Sequence, residues 1–146
     1  AVFGGGTDPS ASALNTLEYV TIATTGDATD FGDLTDNKIR YGGCSSSTRG
    51  IIAAGGTPSV TNSITYITIA TTGNTSDFGD VTAARQNVAA VTNSIRGLVA
   101  GGATPSDVNT IDYINIASTG NASDFGDEII TGDHTSGCSD SHGGIS

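Results

Sequence analysis

The sequence predicts an all-β fold assembled from a repeated unit. The stretch Ile64-Thr-Tyr-Ile-Thr-Ile-Ala-Thr-Thr-Gly-Asn-Thr-Ser-Asp-Phe-Gly-Asp80 has counterparts at Leu17 to Asp33 and Ile111 to Asp127, with Phe31, Phe78 and Phe125 spaced 47 residues apart. A fixed period in this range marks a repeat architecture. Only 14% of the 146 residues are charged, so polarity comes from Ser, Thr, Asn and Gly, which favour strands and tight turns. No window of about 11 residues or more shows an apolar period of 3.6, as an amphipathic helix would. Three units fill nearly the whole chain, giving one repeat domain over 1–146 with repeats 1–50, 51–97 and 98–146.

Each repeat opens on a short apolar strand ending in a glycine pair. Ala1-Val-Phe-Gly-Gly-Gly-Thr7 aligns with Ile51-Ile-Ala-Ala-Gly-Gly-Thr57 and Leu98-Val-Ala-Gly-Gly-Ala103. Consecutive apolar residues imply burial on both faces, and the glycines allow a sharp turn or a close backbone approach. Polar loops follow at Asp8 to Thr16, Pro58 to Ser63 and Thr104 to Thr110. The first is about three residues longer, as a loop on a fixed scaffold can be. Next comes the clearest strand, in which Ile64, Tyr66 and Thr68 alternate with Thr65, Ile67 and Ile69. Tyr19, Tyr66 and Tyr113 hold one place in it and are expected to pack with their hydroxyls at a polar edge.

A Thr/Ser-Thr-Gly-Asx turn then leads into Asp-Phe-Gly-Asp, whose phenylalanine is the expected plug of each core. A short strand is expected at Leu34-Thr35, Val81-Thr82 and Ile129-Ile130. A linker with Lys38 or Arg85 follows, and a small-residue strand at Tyr41 to Ser45, Val88 to Thr92 and Thr135 to Ser139 closes the unit. Four short antiparallel strands with tight turns match one blade of a β-propeller, with small residues on the innermost strand where blades converge.

The order Arg85, Ala89-Ala90-Val91, Leu98-Val99-Ala100-Gly101-Gly102, a tyrosine strand and a bulky aromatic resembles the kelch family of propeller repeats, with phenylalanine in place of that family's tryptophan. The wording Tyr-x-x-Ile-Ala-Thr-Thr-Gly-Asn-x-x-Asp-Phe-Gly-Asp is more similar still to kelch-like repeats in structural and tail-fibre proteins of tailed phages, notably those of marine bacteria. The resemblance spans essentially the whole chain. It implies a non-catalytic structural or adhesive module of a virion, a tail fibre or capsid decoration, located on the virion or extracellularly. A host-surface glycan or another virion protein would be its partner. A secreted propeller-fold enzyme acting on glycans and a kelch-type protein-binding scaffold are the alternatives; against the enzyme, the notable carboxylates recur in every repeat, whereas an active site normally breaks symmetry.

Three blades do not close a ring, since propellers run from about four to eight. A dimer giving six blades is favoured, the last strand of one chain completing the first blade of its partner; an adjoining segment of a longer chain is the alternative. The chain contains no Met, which suggests a processed product or a piece of a longer protein.

The net charge of −10, with Lys38, Arg40, Arg49, Arg85 and Arg96 as the only fixed cations, disfavours nucleic-acid binding. No apolar run approaches the roughly 18 residues that would span a bilayer. Cys44 and Cys138 each lie 13 residues after a phenylalanine, where the middle repeat has Val91, so buried free thiols are expected. Contact between Cys44 and the other subunit's Cys138 is a further expectation of the dimer.

The loops and linkers on one face are the expected ligand-binding surface, with Lys38, Arg85, Ser59, Thr61, Ser106 and Asp107 as candidate residues. The cations, with Arg49 and Arg96, are most simply expected to pair with repeated aspartates between blades. The recurring Asp27, Asp30, Asp33 set, which becomes Asn74, Asp77, Asp80 and Asn121, Asp124, Asp127, reads as turn chemistry ahead of a weak calcium site. His134 and His142 near Asp133, Asp140 and Cys138 match no zinc spacing and make a weak Ser-His-Asp set. No catalytic residue, metal or cofactor is therefore assigned.

Overall fold

The computed structural model describes residues 1–56 and 58–139. All regular structure among them is β. In chain order the strands are β1 Val2–Gly4, β2 Thr16–Tyr19, β3 Thr29–Asp33, β4 Gly42–Ser45, β5 Arg49–Ala53, β6 Ser63–Thr68, β7 Ser76–Asp80, β8 Ala89–Thr92, β9 Arg96–Ala100, β10 Ala103–Thr104, β11 Ser106–Asp107, β12 Thr110–Asn115 and β13 Ser123–Asp127. They form three antiparallel sheets, β1-β2-β3, β4-β5-β6-β7 and β8-β9-β12-β13, with a small ribbon β10-β11 in the third polar loop.

The sheets are out of phase with the sequence repeats. The small-residue strand does not close its own unit: β4 and β8 open the sheet that follows, each pairing with the glycine-pair strand after it. The boundaries 50/51 and 97/98 consequently fall inside β5 and β9. The third strand lies on Asp-Phe-Gly-Asp itself, not after it. Leu34 and Val81 follow that strand as buried plugs, whereas Ile129 and Ile130 are exposed. Their true counterpart in the third repeat is Glu128, which keeps the 47-residue spacing. Register also corrects the first repeat. Val2 pairs with Tyr19 as Ile51 pairs with Tyr66, so Gly5 and Gly6 match Ala54 and Gly55, all four at positive φ. The first loop is thus two residues longer, not three.

Each complete sheet presents its edge strand to the next. The Thr92 Oγ1 donates to the Ser45 carbonyl at 2.9 Å, holding β8 beside β4. Apolar residues between the sheets form two clusters, one around Leu17, Phe31, Leu34, Ile52 and Ile67, the other around Ile51, Ile64, Phe78, Val81, Val99 and Ile114. At roughly 1.5–3 kcal/mol per fully buried large apolar side chain, these clusters are the main stabilising term.

The outer ends of the sheets are joined by a backbone clasp. The Gly73 amide donates to the Phe31 carbonyl at 2.6 Å and the Thr75 amide to the Asp33 carbonyl at 2.8 Å. The Gly120 amide repeats the first bond to Phe78 at 2.7 Å, and the Ala122 amide repeats the second to Asp80 at 2.7 Å. The Asn74 Oδ1 accepts from the Asp33 amide at 3.0 Å and the Asn121 Oδ1 from the Asp80 amide at 3.1 Å. A neighbour's turn therefore crosses directly over Gly32 and Gly79, where φ is +145°. A Cβ there would overlap the backbone of Gly73 or Gly120, so both the conformation and the space require glycine.

Candidate recognition face

The polar loops and the linkers do share one end of the molecule, and backbone bonds put them there. The Gly6 amide donates to the Lys38 carbonyl at 3.1 Å, the Gly55 amide to the Arg85 carbonyl at 2.8 Å, and the Gly102 amide to the Gly132 carbonyl at 2.9 Å. The 104–110 loop is tied in by paired bonds between Gln86 and Ala103. Ser59, Ser106 and Asp107 are exposed there, and Thr61 is half-buried. The Thr61 Oγ1 accepts from the Ser63 amide at 3.1 Å and donates to the Ser63 Oγ at 3.2 Å. Its hydroxyl thus shapes the turn, while Ser59 and Ser106 leave hydroxyls, and Asp107 a carboxylate, exposed to solvent.

Lys38 and Arg85 have a different place. They are 1% and 0% exposed, so neither offers a side chain to an external ligand. Each runs inward from its linker to the sheet that follows. The Lys38 Nζ donates to the Ser63 Oγ at 2.6 Å and carbonyl at 3.3 Å. Burial pulls its ammonium below the ordinary lysine range, and Asp36 and Asp77 oppose that pull. Arg85 Nη2 lies 3.0 Å from Asp112 Oδ2 and donates to the Val99 carbonyl at 3.1 Å. Asp112 is itself fully buried and accepts from the Thr82 hydroxyl at 2.8 Å and amide at 3.0 Å. Arg85 Nε and Nη1 have no partner among the described residues. A buried pair of this kind sets geometry more than it adds stability.

Asp112 was not singled out by the sequence pattern, because its counterparts are Glu18 and Thr65. Its signal is a coincidence within one boundary: an arginine at the linker position, followed by an acid at the facing strand position of the next unit. Arg49 and Arg96 pair with tyrosines, not with the repeated aspartates. Arg49 lies 4.7 Å from the Tyr66 ring centre and Arg96 4.8 Å from that of Tyr113, a geometry in which the ring quadrupole attracts the cation. Those tyrosines meet Phe78 and Phe125 edge-on at 6.0 and 6.2 Å, and Tyr19 meets Phe31 likewise.

The two thiols are free but differ. Cys44 is half-buried at the inner edge, and burial pushes its thiol up to about 12. Cys138 is exposed, contrary to expectation, because it lies beyond the last complete sheet. His134 Nδ1 is 2.9 Å from Asp133 Oδ2 at an exposed turn, while Asp140 and His142 lie outside the described residues. Among the described residues, no three His, Cys, Asp or Glu side chains converge as a metal site would require. No protein-family model matches the chain, and no curated protein matches it.

Proposed function

We propose that the chain is a non-catalytic structural or adhesive module of a virion, a tail-fibre or capsid-decoration element. Its sheets would be blades of a propeller-like ring closed with a second copy. The reading is carried by one observation: the first and second sheets each meet the next through the same backbone clasp at a 47-residue spacing. Such a scaffold holds a row of loops at fixed intervals. Ser59, Ser106 and Asp107 present hydroxyl and carboxylate groups on those loops, which suits hydrogen bonding to a host-surface glycan or to another virion protein. The resemblance of the repeat to phage kelch-like sequences favours the virion setting. An enzyme acting on glycans is the weaker reading, since the Asp-Phe-Gly-Asp carboxylates recur in every repeat, whereas an active site normally breaks symmetry.

Two experiments test it. Electron microscopy of the particle carrying this chain is expected to place it on a capsid or tail. A glycan array with the purified protein is expected to give binding lost in Ser106→Ala/Asp107→Ala and retained in Asp27→Ala at the far end. Absence from any particle, or turnover of a glycan by the pure protein, would overturn the reading.

A further inference from the structure

The geometry points to a socket: we infer that the open edge of β1, with the groove behind it, receives residues 136–138 of a second copy of this chain. The inference deepens the ring reading above and rests on it.

Among the described residues, the first sheet lacks the inner strand that the other two possess. Ala1 and Val20 exchange hydrogen bonds at 2.8 and 2.9 Å, and the Gly5 amide donates to the Thr16 carbonyl at 3.0 Å. Antiparallel alternation therefore turns the amides of Val2 and Gly4 toward the vacant side. Beside them is an apolar groove of about 670 Å³, lined by Val2, Gly4, Leu17, Cys44, Ile51 and Ile67 among others. The Tyr41 hydroxyl donates to the Gly4 carbonyl, the counterpart of the Ala53 carbonyl that faces β4 in the second sheet.

The chain also carries a segment built for that place. Inner strands here are small: Gly42-Gly43-Cys44, Ala89-Ala90-Val91 and, at the same spacing, Ser136-Gly137-Cys138. The third lies against β8 as β8 lies against β4, since the Ser139 Oγ donates to the Thr92 carbonyl at 2.7 Å. Yet residues 136–138 belong to no strand. The registers of β4 on β5 and β8 on β9 place Ser136 opposite Gly4, Gly137 opposite Phe3 and Cys138 opposite Val2. The sulfur has room. The Cys44 sulfur sits 3.4 Å from where a Gly97 Cβ would stand, and the counterpart of Gly97 in the groove is Gly50.

The outer ends of the same boundary match as well. Phe125 is 52% exposed where Phe31 and Phe78 are 5% and 2%, and among the described residues no atom lies within 4 Å of where a Gly126 Cβ would stand. On the first sheet the exposed turn Gly26-Asp27-Ala28 repeats Gly73-Asn74-Thr75 and Gly120-Asn121-Ala122. The copy that donates residues 136–138 thus presents its Phe125 face to the Gly26 turn of the copy that receives them. Two-fold repetition of this one boundary closes the assembly. It lacks a buried ion pair, because Gly132 and Glu18 stand where Arg85 and Asp112 do.

Light scattering and amide exchange on the full chain test the socket. The wild type is expected to be a dimer, with the Val2 and Gly4 amides protected and Cys138 slow to alkylate. In Val2→Pro, which removes an amide that β2 does not use, the mass should fall by half while the β circular-dichroism signal is kept. Tyr41→Phe, which frees the Gly4 carbonyl, should remain dimeric. A monomeric wild type, or a dimer in which Cys138 alkylates as fast as in Val2→Pro, would overturn the inference. Neither result bears on particle location or glycan binding. Protection of the Val2 amide only when further residues are appended before Ala1 would give the groove to that segment and equally exclude the second copy.

Discussion

The second and third sheets share one strand plan and an identical Ser-Asp-Phe-Gly-Asp strand but have unequal surroundings. Phe78 and Phe125 both sit in Ser-Asp-Phe-Gly-Asp strands and meet a tyrosine edge-on in the same way. Phe78 is buried because the Gly120 turn passes over it, while half of Phe125 is open. The contrast teaches that the unit's own fold and the burial of its core are separate matters. Strand pairing and the Tyr–Phe contact are local. Enclosure of the phenylalanine is supplied by a neighbour, which is the energetic logic of repeat proteins.

The sharpest way to break the comparison is at the boundary between those sheets. Asp112→Ala leaves the Arg85 guanidinium buried without a counter-charge and should cost about 3–5 kcal/mol in urea unfolding. Arg85→Met combined with Asp112→Leu should recover most of that loss. Next, Phe78→Ala should cost about 3–5 kcal/mol, whereas Phe125→Ala measured at high dilution should cost far less. Equal losses at the two positions would mean that Phe125 is enclosed by something further. Asn74→Ala removes one clasp bond and should cost about 1 kcal/mol, while Asp27→Ala should leave an isolated chain unchanged.

The smallest effects come from titratable groups. Lys38→Met gives up a hydrogen bond but relieves the buried ammonium, for a net change of about 1 kcal/mol or less. Because burial lowers the folded lysine's pKa, the unfolded chain binds more protons between that lowered value and 10.5. Wild-type stability relative to Lys38→Met should therefore rise with pH through that window. Cys44, with its thiol at about 12, should resist maleimide at pH 8 while Cys138 in a dissociated chain reacts; mass spectrometry of labelled peptides separates them.

Much of the architecture was legible. The 47-residue period, the tyrosine strand and the Asp-Phe-Gly-Asp motif each name a real element. What a period lacks is a phase. Nothing in the pattern says that Gly42 to Ser45 pairs forward with β5 and not back with β3, because small residues fit an inner edge on either side. The burial of Lys38 and Arg85 escapes the pattern for a different reason. A cation in a polar linker ordinarily stays in water, and only the depth of the inter-sheet space draws these inward. Asp112 is invisible to the repeat pattern because the ion pair occupies one boundary alone, with Thr65 and Glu18 at the equivalent positions. The candidate loop residues were legible as a surface, since Pro, Ser and Asp after a glycine pair specify an exposed turn.

The clasp has an evolutionary consequence. Its bonds run mostly from main chain to main chain and ask of the sequence only a glycine, a short polar cap and another glycine. A duplicated or deleted copy of the module would carry a compatible joint with it, whatever its other side chains had become. Chains built from this module could then vary in module number without inventing new contacts, while the exposed loops drift freely toward new partners.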